Sequence, residues 1–562
     1  MTLRLPKFIA NGNQWLEKQQ VSILSGALII TVAALASGLV GFLRTYLLVA
    51  FYYQNGTNPL LDAFYVSFQL PELVFQLLVI GALSAAYIPV FTKYERESKE
   101  GAFRMASTVL NVILLCFIFF SALIFIFAAP LTRSMTGSGF SETQIAVSAQ
   151  LTRIMIFAQF FFAISNFLSG TIQSYKRFII PAITPIVYNF GIILGILLFH
   201  QPLGIYAPAI GVVIGAFLHF ALQLPLAIKL GFRYYPSFDF KHPGVKEMFK
   251  LMVPRTLSSS VDQIELFAMT FFATHLAINS VVIIKLAQSL MTFPIRLFGA
   301  PIGQAALPFL SKESNNGHTE LFRQLVDESL HQISFFAMPA SVLLLILRIP
   351  IVRLTLGSKD FPWNATVLTG RVVAILAMSI AAQAMVHVLV RALYALHNTK
   401  APLFASMIST ALFLSSSYFA VFYTDWGLLG LAGTLSFATV FEMVLLLLLL
   451  DRKIPFILEK RFWFPQVKIL IASFLMGVFL WLPFRILDQL VFDTSHTIDL
   501  IGLTICVGTI GMLTYVSFSY LLDIKELSLL ARLFDTFGNW RNILAKSPEL
   551  MEAAGQTTDG SV

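Results

Sequence analysis

Two ionisable side chains interrupt the first apolar stretches of the chain. Arg44 lies late in S-G-L-V-G-F-L-R-T-Y (37–46), and Asp62 opens D-A-F-Y-V-S-F-Q-L-P-E-L, with a turn at 55–59 between them. A charge at bilayer depth costs from about 3 to above 10 kcal/mol, so such groups usually face a cavity and mark a route for a polar solute. Other readings stay open: Arg44 fits a side chain snorkelling to the interface, and Asp62 fits a helix N-cap.

A second constellation sits near residue 260: Pro254, Arg255, Ser258, Asp262 and Glu265. Arg255 to Asp262 is i to i+7 and Asp262 to Glu265 is i to i+3, so all three can share a helix face. Two carboxylates with serine oxygens suit ion coupling, by binding Na+ or by relaying a proton. A structural ion pair between Arg255 and Asp262 is the alternative. Glu442 is a further acid inside an apolar segment.

The elements that must position these residues are membrane spans. Of 562 residues, 57% are hydrophobic and only 12% charged, against roughly 25% charged in soluble domains. Apolar runs long enough to cross a bilayer recur along most of the chain, which predicts an all-α polytopic membrane protein. Fourteen spans are predicted: 21–51, 61–92, 104–131, 145–172, 180–200, 204–230, 248–276, 279–310, 324–349, 364–394, 401–423, 427–450, 465–487 and 498–522. The net charge of +9 does not point to nucleic acid, because the basic residues alternate with the topology. Lys93, Arg96 and Lys99 share one loop, Lys176 and Arg177 another, Lys229 to Lys250 a third, and Arg452 to Arg461 a fourth. The intervening loops 52–61, 200–204, 275–280 and 423–427 have no Lys or Arg. The positive-inside rule then puts the basic loops and both termini in the cytoplasm. Cys116 and Cys506 fall within apolar spans and read as small hydrophobes.

A weak internal repeat of about 220 residues divides the spans into parallel lobes, an arrangement that places a transport site between them near the midplane. G-A-L-S-A-A-Y-I-P-V-F-T-K before residue 94 matches G-A-P-I-G-Q-A-A-L-P-F-L-S-K before 313, Pro181 matches Pro402, and Gly204 matches Gly427. The predicted organisation is an interfacial segment (1–20), an N-lobe (21–230), a cytoplasmic linker (231–247), a C-lobe (248–451), two further spans (465–522), and an interfacial helix with a disordered tail (523–562). No G-x-x-x-x-G-K-[ST] phosphate loop, H-E-x-x-H, paired C-x-x-C or G-x-S-x-G motif is present. A transporter without cofactor, driven by Na+, H+ or the membrane potential, fits better than an enzyme.

Several stretches together resemble the MurJ/MviN family of lipid II flippases, relatives of the multidrug (MATE) and polysaccharide exporters. They are S-G-L-V-G-F-L-R with D-A-F and G-A-L-S-A-A-Y-I-P; L-T-R-I-M from Leu151 continuing to Y-K-R-F-I-I-P-A-I-T-P-I-V-Y-N; and A-L-P-F-L-S-K from Ala306 continuing to R-I-P-I-V-R-L-T-L-G. The resemblance implies two six-helix lobes forming a V around a cationic cavity, with two extra helices that hold a lipid tail. It implies transfer of a polyprenyl-pyrophosphate-linked peptidoglycan precursor from the inner to the outer leaflet of a bacterial inner membrane, beside the cell-wall synthesis machinery. Arginine suits that cargo, since its planar fork binds phosphate and stays charged.

Residue by residue, Arg44 matches a family cavity arginine, Asp62 a family carboxylate, and Arg153 a family arginine near the outer entrance. Asp262 matches an aspartate of a family sodium site whose partners appear here as Ser417 and Val421. Elsewhere the pattern departs. The family's P-N-x-x-R-x-x-x-E-G-A reads P-E-L-V-F-Q-L-L-V-I-G-A, so Glu72 replaces an Asn and Ile80 a Glu. Gly38 and Ser289 stand where arginines are common. Lys285 and Arg296, near one helical face with Ser289, are candidates to restore the charge, with Arg255 as a further cation. A flippase for another polyprenyl-linked glycan, a cation-coupled drug exporter and a non-transporting scaffold remain the alternatives.

Overall fold

The structure is a computed structural model. It describes residues 23–530 except 55–58, 81–86, 358–359, 456–458 and 494–495. Side chains are described from residue 32 on, except at Ile80, Pro89, Leu251, 253–255 and 257–259. The predicted segment 1–20 and most of the predicted terminal segment lie outside the described residues.

The helices run α1 (Ile23–Tyr52), α2 (Leu60–Ser67), α3 (Gln69–Phe75), α4 (Ile88–Glu97), α5 (Lys99–Met135), α6 (Glu142–Ser174), α7 (Ile179–Leu203), α8 (Tyr206–Lys229), α9 (Pro243–Thr274), α10 (Ser280–Pro294), α11 (Ala300–Asn315), α12 (Thr319–Ile346), α13 (Arg348–Leu356), α14 (Trp363–Ala377), α15 (Ile380–Ala395), α16 (Lys400–Phe422), α17 (Gly427–Asp451), α18 (Lys460–Ile486) and α19 (Thr497–Leu521). No strand occurs among the described residues. Eleven of the described helical segments are long and apolar enough to cross a membrane, or twelve if the bent pair α14–α15 is one span. The expected spans 61–92 and 248–276 are not among them. The first is interrupted at Phe68 and turns into a π-helix over Gln76–Ile80; the second, α9, carries Arg255, Asp262 and Glu265. Both are largely helical where described, and both contribute residues to one cavity.

Local chemistry sets the helix ends. Ser98 accepts from the Gly101 N–H at 3.1 Å to start α5. Ser141 and Gln144 form a reciprocal capping box at α6, which satisfies two N–H groups that the first turn would leave orphaned.

The repeat is written in the backbone. A second π-helix, Ile295–Gly299, follows α10, and left-handed residues recur as pairs: Gln54 with Asn279, Lys176 with His397, Gly204 with Gly427. Each second member falls about 220 residues after the first, the spacing of a parallel two-lobe repeat. Packing follows the same rule. α7 lies on α8 as α16 lies on α17, α1 on α7 as α9 on α16, and α5 on α6 as α12 on α15.

Glycine makes the α7–α8 contact close. A Cβ at Gly195 would run into the Gly211 backbone, and one at Gly215 would stand 2.5 Å from the Tyr188 carbonyl. Gly191-x-x-x-Gly195 therefore faces Gly211-x-x-x-Gly215, the small-residue approach by which membrane helices gain dispersion contact that lipid cannot supply.

α18 and α19 pack against each other and against α12. Their apolar core includes Phe335, Met476, Leu480 and Tyr515, and the Tyr515 hydroxyl donates to the Phe335 carbonyl at 2.8 Å. The outer faces of this pair, with Phe474, Phe479, Ile505 and Leu513, are exposed, as expected of helices solvated by lipid.

Candidate functional site

A cavity of ≈ 240 Å³ lies between the halves. It is lined by Arg44 and Leu48 from α1, Phe64 and Tyr65 from α2, Phe68 at the break between α2 and α3, Gln69 and Glu72 from α3, Ile192 from α7, Leu266 from α9 and Lys285 from α10. Arg44 and Leu266 are separated by about 220 residues, as are Tyr65 and Lys285, so positions at the repeat spacing line the cavity from both halves. Arg44 and Lys285, singled out from the sequence, meet here from opposite halves. Among the described residues neither forms an ion pair, and Arg44 Nε is buried without a hydrogen-bond partner. Two basic side chains thus line one largely apolar cavity, a setting in which a charge-assisted hydrogen bond is strong.

Asp62, expected as a substrate contact, does not line this cavity. It is 3% exposed, and both carboxylate oxygens are engaged across the lobes. The Asn279 N–H donates to Oδ2 at 2.7 Å and the Val282 N–H donates to Oδ1 at 2.8 Å. These are orphan donors of the first turn of α10, and a carboxylate there also complements the helix dipole. Asp62 is an N-cap, but for a helix of the other half rather than its own. Neighbouring contacts join the halves toward the same end, where loops 52–61 and 275–280 lie. The Gly137 N–H donates to Thr274 Oγ1 at 2.8 Å, Tyr53 meets Phe361 edge-on with centroids 4.8 Å apart, and Gln69 bonds Thr270 between α3 and α9.

The remaining cations lie elsewhere. Arg296 is exposed and outside the cavity. It shares a helical face with Lys285, but eleven residues at 1.5 Å each put it about 16 Å further along the axis. The Arg255 side chain lies outside what the structure describes. Arg153 donates from Nε to the Phe125 carbonyl at 2.9 Å and sits over the Phe125 ring, which ties it to α5.

Asp262 and Glu265 lie on α9 outside the cavity lining and within electrostatic reach of Glu442 on α17. None of the three forms an ion pair among the described residues, and no group of His, Cys, Asp or Glu there is arranged to hold a metal ion. Ser417, which stands on α16 where the family's sodium site has a partner, shares a hydrogen bond with Thr434 at 2.8 Å.

In the sequence Glu72 is a departure from the family pattern. It lines the cavity, with Gln76 Nε2 donating to Oε1 at 2.6 Å. The available signal was its spacing: Phe68, Gln69 and Glu72 lie at i, i+1 and i+4, which on a helix is one side.

The family profile described as "Lipid II flippase MurJ" matches residues 31–501. A probable lipid II flippase MurJ of Bdellovibrio bacteriovorus is 26% identical over 525 residues, covering 92% of this chain and 98% of its own. One of Buchnera aphidicola is 27% identical, over 83% of this chain and 91% of its own. Among solved structures, a lipid II flippase MurJ in an inward closed conformation superposes with TM-score 0.71 at 22% identity, over 88% of this chain and 98% of its own. An inward-facing multidrug MATE transporter gives 0.63 at 13% identity, over 74% and 94%; at these identities the two structures speak for the fold. Because the profile spans both lobes and continues into α19, this multi-pass membrane chain belongs to the MurJ family of lipid II flippases.

Proposed function

We propose that the protein moves lipid II from the inner to the outer leaflet of a bacterial inner membrane by alternating access, with the basic loops and both termini cytoplasmic. The observation that carries this reading is the meeting of Arg44 and Lys285 in one inter-lobe cavity, beneath a face closed by Asp62. The lipid II headgroup joins sugars and a peptide to a pyrophosphate, which hydrocarbon excludes and two cations attract. At ≈ 240 Å³ the cavity is smaller than the roughly 300–1,000 Å³ that encloses a drug-sized ligand, so the lobes part further to admit a whole headgroup. Breaking the Asp62 contacts and reforming the seal on the basic face would then expose the cavity outward. The cell-wall synthesis machinery is the consumer of the product.

Complementation tests the reading. Cells depleted of their own lipid II flippase should grow on this chain and fail on Arg44→Ala/Lys285→Ala expressed at the same level. Equal rescue by both would remove the cavity from the mechanism. Drug efflux without any effect on wall lipid would transfer the protein to the exporter reading.

Asp262 and Glu265, joined by Glu442, are the proposed coupling site for Na+ or H+. Their support is the gathering of three acids without a basic partner among the described residues.

A further inference from the structure

Glu72 is out of place in a site built only to hold an anion. It lines the cavity that Arg44 and Lys285 line, yet it forms no ion pair with either among the described residues. Its hydrogen-bonded partner is neutral: the Gln76 amide, one turn on, at 2.6 Å. The Gln159 amide stands beside it, and Tyr188 lies within electrostatic reach of both Glu72 and Arg44. Neutral amides orient the carboxylate without cancelling its charge. A carboxylate that served only to balance the cations would pair with them, because an unpaired charge at this depth is costly.

We infer that Glu72 is a specificity residue: the cavity takes an anionic group on Arg44 and Lys285 and a hydrogen-bond donor of the same headgroup on Glu72. The ligand class is a polyprenyl pyrophosphate that carries a hydroxyl or ammonium donor near its phosphates, as a sugar or a peptide amine supplies. Bare polyprenyl pyrophosphate satisfies the cations and leaves Glu72 facing only negative charge. The site therefore favours the loaded carrier over the spent one. For a flippase this separates cargo from the chemically similar lipid left after the headgroup has been used. The inference rests on the flippase reading and adds the donor requirement to it.

The test is binding to the full-length protein in nanodiscs, with two probes: undecaprenyl pyrophosphate, and the same lipid carrying the disaccharide-pentapeptide. The parent should bind the loaded lipid more tightly. Glu72→Ala should weaken the loaded lipid about tenfold, the scale of one charge-assisted hydrogen bond. It should leave the bare lipid unchanged or tighter, and that probe doubles as the control for folding. Glu72→Gln separates the donors: retained discrimination assigns a hydroxyl, which an amide oxygen still accepts, and lost discrimination assigns an ammonium. Equal change toward both probes in Glu72→Ala, no change, or a parent that binds the two lipids alike overturns the role of Glu72. A parent that binds neither lipid overturns the flippase reading itself.

Discussion

The Asp62 carboxylate accepts the Val282 N–H at 2.8 Å, so a side chain of one half caps a helix of the other. Lys285 lies three residues further along that helix. The N–H groups that Asp62 holds and a side chain that lines the cavity are therefore on one rigid rod, and tilting α10 moves both.

Asp62→Ala should loosen that closure. Removing the carboxylate strands two N–H groups, and hydrogen bonds to a charged group are worth about 1.5–3 kcal/mol each. In a background of Cys116→Ala and Cys506→Ala, a cysteine replacing cavity-lining Phe64 should react faster with an impermeant thiol reagent added from the side of loops 52–61 and 275–280. Unchanged reactivity would mean that the cap does not hold the face shut.

Arg44 and Lys285 should be separable by chemistry. Arg44→Lys keeps the charge but loses the planar fork, which is not a conservative exchange at a phosphate site. Flipping should fall by at least about tenfold in Arg44→Ala and only partly recover in Arg44→Lys. Lys285→Arg should retain more activity than Lys285→Ala. The readout is outer-leaflet lipid II in proteoliposomes.

Glu265→Gln and Asp262→Asn should leave binding of the loaded lipid intact while removing the dependence of transport on an imposed Na+ or H+ gradient. If the parent shows no such dependence, the three acids are structural and drive comes from elsewhere.

Gly195→Val should separate α7 from α8. Overpacking a tight contact costs about 1–3 kcal/mol, so the thermal midpoint in detergent should drop. Gly433→Ala is the control, since a Cβ there meets nothing within 4 Å.

The pair α18–α19 should detach at its basic end when one arginine is removed. Arg323 bonds Glu459 at 2.8 Å and Arg461 bonds Glu320 at 2.9 Å, cross-linking α12 to the start of α18. Arg323 is the more buried member, its side chain 11% exposed, so Arg323→Ala should lower stability more than Arg461→Ala, whose exposed pair contributes about 0–1 kcal/mol. Comparison of the two melting curves checks this.

What the sequence determined by itself was the solvent and the repeat. Apolar run length reports membrane spans because hydrocarbon accepts only backbones that satisfy themselves, and paired landmarks such as Gly204 and Gly427 survive as paired backbone conformations. Arg44 and Lys285 were legible because a charge at that depth is conspicuous. The tertiary structure alone decided which conspicuous charges share a space. Helical periodicity assigns a face but not a depth, so Arg296 was grouped with Lys285 although it lies turns away. Spacing within one helix is also blind to a partner some 220 residues distant, as in a parallel repeat, so Asp62 read as a cap for its own helix or a ligand for cargo, never as the clamp on α10. Glu72 shows the converse: in the sequence it is only a departure from the family pattern, and folding sets it in the cavity that two basic side chains line.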